Sequence, residues 1–283
     1  MVAIKNDSLT VEISEVGAEL QSIKDSSGRE WLWQGDPQFW TGRAPICFPI
    51  CGGLKEDRFI YKGKSYTLSK HGFARKSIFE VVKINEDSAV FELKSNENTK
   101  EMYPFDFVFR AKYKLKDNSL EVTYSVKNTG EDIMFFSVGA HEAYATPEGI
   151  ENYKVVFDLP ETLRAYILDG NLLEHNYVTL LENKTEFPLL DRYFAVDALV
   201  FKHLNSHGVT LINKSGDRKI NVKFDGFDYF LLWHKHGAPY ICLEPWAGIQ
   251  DPVDSDFILE HKEGINYAVP GETFKRTHLI TFG

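Results

Sequence analysis

Apolar and polar residues alternate along much of the chain. In LTVEI (9–13), Leu9, Val11 and Ile13 fall on one side of an extended strand, and Thr10 and Glu12 on the other. IFEVVKI (78–84) and AVFELK (89–94) repeat the pattern around Asn85, Glu86, Asp87 and Ser88, predicting a hairpin. FVFRAKYKL (107–115) and SLEVTYSVK (119–127) do the same around Lys116, Asp117 and Asn118. Further strand-like runs are YKVVFDL (153–159), VTLIN (209–213), KINVKF (219–224), YFLLWH (229–234) and THLITF (277–282). No long window keeps apolar residues at i, i+3, i+4 and i+7, so helix is expected only as short turns near 36–40 and 252–257. Many short strands at roughly regular spacing predict an all-β antiparallel sandwich or barrel. No Gly/Ser linker, low-complexity tract or clean repeat interrupts the pattern, and residues 1–283 are expected to form a single domain.

Composition narrows the classes. The chain is 43% hydrophobic and 26% charged, the balance of an ordinary globular protein. A formal net charge of -9 argues against a nucleic-acid partner, which normally meets a basic surface. No run approaches 18 uninterrupted apolar residues, so no membrane-spanning helix is expected. The start, MVAIKNDSLTVEI, lacks an apolar signal core, and Cys47, Cys51 and Cys242 are too few and odd in number for a disulfide framework. A cytoplasmic protein is the expectation.

Four segments stand out. ICLEPW (241–246) sets Glu244 in an apolar run, where an unpaired carboxylate costs several kcal/mol or more unless its pKa rises or it is paired. Pro245 biases Glu244 toward an extended conformation, and Trp246 adds a flat face for packing or for stacking on a sugar ring. A buried structural salt bridge is the plain alternative, with an arginine as one candidate partner. SVGAHEAYA (137–145) surrounds His141 with small residues, leaving room for a ligand, although a core histidine bonded to a carbonyl fits equally well. KHGFAR (70–75) joins His71 to Arg75 through Gly72, which permits an unusual turn. TGRAPICFPICGG (41–53) carries Arg43 ahead of a Pro-broken apolar run. His234 and His236 are one residue apart and would share one face of a strand. With Cys47 and Cys51 they raise the question of a metal, but the cysteine pair sits in apolar surroundings, so no metal site is expected. No nucleophile-elbow, P-loop or dinucleotide motif is present.

Taken together, WTGRAPICFPICGGLKED, HGFAR, VGAHEAY, DALVFK and CLEPWAGIQDP resemble the aldose 1-epimerase (galactose mutarotase) family, in family order and over nearly the whole chain. The likeness is greatest to the branch typified by the X protein of lactose operons. The resemblance implies a large antiparallel β-supersandwich with an open sugar cleft. It implies His141 as general acid at the ring oxygen, Glu244 as general base at the anomeric hydroxyl, and His71 as a second, hydrogen-bonding histidine. It also implies that Arg43, Arg75 and Asp197 position the substrate, with Asp191 a rival for Asp197's place. No cofactor is implied, the partner is a hexopyranose, and the protein would be a monomer or homodimer.

Anomer exchange opens a hemiacetal ring, rotates about C1–C2 and recloses it. That needs one acid and one base across a pyranose, a task within the tunable range of His and Glu. A hexose-6-phosphate substrate is the near variant, if Arg43 and Arg75 clamp phosphate. A non-catalytic sugar-binding or sensing module is the alternative from another class. Two departures from the family pattern bear on substrate choice. Gly53 stands where members often carry arginine, and Glu142 stands where the related branch often has proline. Glu142 is expected either to raise the pKa of His141 or to point into solvent.

Overall fold

The computed structural model describes residues 1–283. Its dominant element is a 14-stranded sheet, joined by a three-stranded sheet of Val2–Lys5, Leu9–Ile13 and Leu20–Asp25 and by two two-stranded ribbons. All the paired strands are antiparallel. The alternating segments form strands where expected. Leu9–Ile13 has the burial pattern in-out-in-out-in, and Phe107–Lys116 buries every second residue against Ser119–Asn128. Both predicted hairpins form, the first between Glu80–Ile84 and Ser88–Lys94.

The sheet folds back on itself. Glu142 and His278 lie on strands seven ladder steps apart in the sheet order. At about 4.8 Å per step, a flat sheet would separate them by roughly 30 Å. Instead, His278 Nε2 is 2.9 Å from Glu142 Oε1. Enclosed by this curvature, 67 buried residues form one contiguous apolar cluster, with Phe48 stacked on Phe109 at 4.4 Å between ring centroids.

Four expectations need correction. Residues 36–40 and 252–257 each form a single turn that does not continue into helix, with Trp40 N–H donating to the Asp36 carbonyl at 3.0 Å, and the one α-helix, Glu97–Met102, lies elsewhere. Its sequence, ENTKEM, has no apolar stripe; it is defined instead by an Asn96/Thr99 capping box. The strand beginning at Tyr153 does not stop near 159. It runs to Asp169 and pairs with Leu172–Pro188, a strand left unmarked by alternation because most of it faces solvent on both sides. Finally, His234 and His236 do not share a strand face, because the strand ends at Trp233. His234 is buried against Asp191, whereas His236 is exposed beside the same carboxylate.

Candidate active site

The strand Tyr240–Ala247 is buried along its whole length, which explains its almost uniformly apolar sequence. Ile241 and Leu243 enter the main core, while Cys242, Glu244 and Trp246 project from the opposite face. Its neighbour is broken into Val138–Gly139 and Glu142–Ala145. Gly139 pairs with Trp246 and Glu142 with Leu243, so the continuing register sets Ala140 opposite Pro245 and His141 opposite Glu244. Pro245 has no N–H to give to the ladder, although its carbonyl accepts from Ala140 N–H at 3.1 Å. The break in the ladder therefore coincides with the two residues of interest. His141 Nε2 and Glu244 Oε2 are 3.5 Å apart.

A pocket of about 250 Å³ opens on this face, the scale of a small-molecule site. His71, His141, Glu244, Arg75, Asp197 and Trp246 all line it. His71 adopts a left-handed conformation (φ 64°), as does Gly72 (φ 69°). A Cβ on Gly72 would lie 2.3 Å from the Phe48 carbonyl oxygen, so this turn requires glycine. Gly52 N–H donates to His71 Nδ1 at 3.1 Å, and Cys47 Sγ lies 3.2 Å from the same nitrogen. In the neutral ring, Nδ1 is therefore the acceptor and Nε2 carries the proton as a donor. Trp246 is held by its Nε1–H to the Ala140 carbonyl at 2.9 Å, its ring edge-on to His71.

Burial sets the proton inventory. It drives His71 well below the usual histidine range, with His141 and nearby cations acting in the same direction. It brings His141 down to about 3 and raises Glu244 well above the usual carboxylate range. Burial thus favours neutral imidazole at His141 and the carboxylic acid at Glu244, one proton shared by the pair. Lys70 pulls Glu244 the other way, no arginine pairs with it, and its one partner within ion-pair distance is His141. Lys70 itself is 3.8 Å from Asp197. Arg75 Nε is buried without a hydrogen-bond partner.

Arg43 does not join this group. It is not a lining residue, and its guanidinium donates to the Gln21 carbonyl and, at 3.1 Å, to Gln34. Asp191 is likewise absent from the lining, being taken by His234 and His236. Glu142 neither faces solvent nor enters the pocket. Alternation turns it to the core side, where it meets His278. Trp40, Trp233, Lys70, Asn171 and Gln250 line the pocket without having been singled out from the sequence. Trp40 stacks on His141 at 5.3 Å. Lys70 adjoins the HGFAR motif, Trp40 opens WTGRAPICFPICGGLKED and Gln250 lies within CLEPWAGIQDP, and those positions were the available signals. For a metal, the closest donor set is His141, Cys242 and Glu244, whose ligand atoms lie within 4.8 Å of one another. Burial pushes the Cys242 thiol well above its usual range, away from the thiolate form that binds metal.

The aldose 1-epimerase family model matches residues 1–253, and the chain belongs to that family. It is 34% identical to the chromosomal LacX protein of Lactococcus lactis over 99% of this chain and 98% of that one. A galactose mutarotase related enzyme from Lactobacillus acidophilus superposes with a TM-score of 0.96 at 36% identity, covering 100% of this chain and 97% of that one. A Salmonella typhimurium protein provisionally named a glucose-6-phosphate 1-epimerase is 28% identical over 56% of this chain and 49% of its own length.

Proposed function

We propose that this member of the aldose 1-epimerase family interconverts the α and β anomers of a hexopyranose, with His141 and Glu244 as its acid–base pair. The carrying observation is that the two groups oppose each other across adjacent strands, 3.5 Å apart, on the floor of a small pocket. Between them they hold one proton, and the reaction moves one proton each way.

The cycle follows from that inventory. In the ion-pair form, imidazolium at His141 protonates the ring oxygen while carboxylate at Glu244 takes the proton of the C1 hydroxyl. The C1–O5 bond breaks and the aldehyde forms. The pair is then neutral imidazole and carboxylic acid, the form that burial favours. After rotation about C1–C2, Glu244 returns its proton to the carbonyl oxygen and His141 recovers the other as O5 attacks the opposite face. Each group would contribute about 10²- to 10⁴-fold. His71, neutral with its Nε2–H as donor, hydrogen-bonds the ring oxygen or a neighbouring hydroxyl. Arg75, Asp197 and Trp246 position the sugar.

A second reading, a hexose-6-phosphate substrate, draws on Lys70 and Arg75 in the lining. Arg43 no longer supports it, since its guanidinium is engaged elsewhere. NMR magnetisation exchange between anomers of glucose, galactose and their 6-phosphates tests both. Acceleration of the free sugars supports the first reading, and acceleration of the phosphates alone supports the second. A protein that binds sugar yet leaves anomer exchange at the spontaneous rate is a binding module, and both readings fall.

A further inference from the structure

The pocket wall beside Gly52 and Gly53 is built from two amide side chains. Gln250 is 3% exposed and lines the pocket, and its Oε1 is buried with no hydrogen-bond partner in the protein. A buried amide oxygen left unpaired is destabilising, and a ligand donor would recover that loss. Asn171 lines the same pocket from the turn of the long hairpin formed by Tyr153–Asp169 and Leu172–Pro188.

Both amides depend on the glycine pair. A Cβ at Gly52 would come within 2.5 Å of Gln250 Cβ, and at φ 71° a side chain there is strained as well. A Cβ at Gly53 would come within 2.7 Å of Asn171 Cβ. At Gly53 the hairpin tip takes up the space that a side chain would need. The tip is firmly docked. Leu173 is buried in the apolar cluster with Trp246, Cys47 and Cys51. Its N–H donates to the Asp251 carbonyl at 2.9 Å, and its carbonyl accepts from Val253 at 3.1 Å. The Asp251 side chain is anchored in turn by buried Lys262 at 2.7 Å.

We propose that Gln250 and Asn171 form a hydroxyl-recognition subsite that determines which aldose the pocket accepts. Neutral amides pair with hydroxyl donors and acceptors without demanding charge, so the ligand class at this wall is a free sugar hydroxyl. The subsite rests on the reading of the pocket as an aldose site, but it concerns recognition and not proton transfer.

The test uses Gln250→Met, which keeps side-chain length in the buried position, and Asn171→Ala at the exposed turn. Each is compared with the native chain on glucose, galactose, xylose and their single-deoxy analogues. Binding is read by fluorescence of the pocket tryptophans, and turnover by anomer exchange. The expected result is a rise in Kd and KM of about threefold to tenfold per lost hydrogen bond. The rise is confined to sugars bearing the contacted hydroxyl, and kcat changes far less. The native preference for a sugar over the matching deoxy analogue should collapse toward one. Equal losses on every sugar, or no loss, overturn the proposal. If the native protein binds sugars selectively but does not exchange anomers, the mutarotase reading falls while the binding comparison still decides this one.

Discussion

Two histidine–glutamate pairs stand back to back across one strand. His141 and Glu244 face the pocket, and Glu142 and His278 face the core. All four residues are no more than 9% exposed, and both pairs are within ion-pair distance. The sealed pair is the tighter, at 2.9 Å against 3.5 Å. Burial and pairing therefore do not distinguish the proposed acid–base pair from the pair in the core. The difference is access. One pair lies at the floor of an open pocket beside His71 and Trp246, while the other has Tyr124 and Phe227 around it and no opening.

The largest effect should come from Glu244→Gln. It removes the ionisable group while preserving shape, and anomer exchange should fall by about 10²- to 10⁴-fold. The same substitution should stabilise the fold. Glu244 has a folded pKa above its unfolded one, so the native state holds a proton that the unfolded chain loses as pH rises. Stability is therefore lost progressively from about pH 4.5 upward in the native chain. The variant escapes that loss, so its Tm advantage should grow from pH 5 to 8. A Tm unchanged or lowered across that range would mean that Glu244 is not a strained, protonated acid.

The sealed pair should behave oppositely. Glu142→Ala leaves His278 buried without its partner and should cost about 3–5 kcal/mol of stability, read by urea denaturation. Glu142→Leu with His278→Leu should recover most of it, because two apolar groups need no partners. The double variant should retain most anomer exchange. Loss of turnover in a folded double variant would tie the two faces together and remove the contrast.

The pH profile sharpens the comparison further. With His141 at about 3 and Glu244 raised, the pocket pair keeps its single proton well below pH 6.5. The kcat/KM above the spontaneous background should thus show no acid limb near 6.5, and should decline at alkaline pH as Glu244 ionises. A bell centred on an ordinary histidine pKa would contradict this proton inventory. The smallest effect belongs to Arg43→Ala, which removes contacts to Gln21 and Gln34 outside the pocket. A stability loss of about 0.5–1.5 kcal/mol per hydrogen bond is expected, with KM for the sugar unaltered.

Much of this was legible locally. Strand alternation located ten of the strands, because a half-buried strand needs only its own period of two to be recognised. The exposed strand Leu172–Pro188 and the capped helix Glu97–Met102 carry no such period and escaped. Among site residues, His71, His141, Glu244, Arg75, Asp197 and Trp246 do meet in one pocket. Arg43 does not, because the hydrogen bonds that hold its guanidinium come from strands and turns elsewhere in the chain.

The sequence by itself determined the β architecture, the family, and the chemical oddity of Glu244 in ICLEPW. Those features reside in local pattern and in residue identity. Only the tertiary structure decided that His141 lies opposite Glu244 while its neighbour Glu142 turns to the core, that Asp197 and not Asp191 reaches the pocket, and that Gln250 and Asn171 complete its wall. The reason is physical. Alternation says that neighbouring residues face opposite ways, but which way is inward depends on long-range strand register and on a sheet that folds back across seven ladder steps.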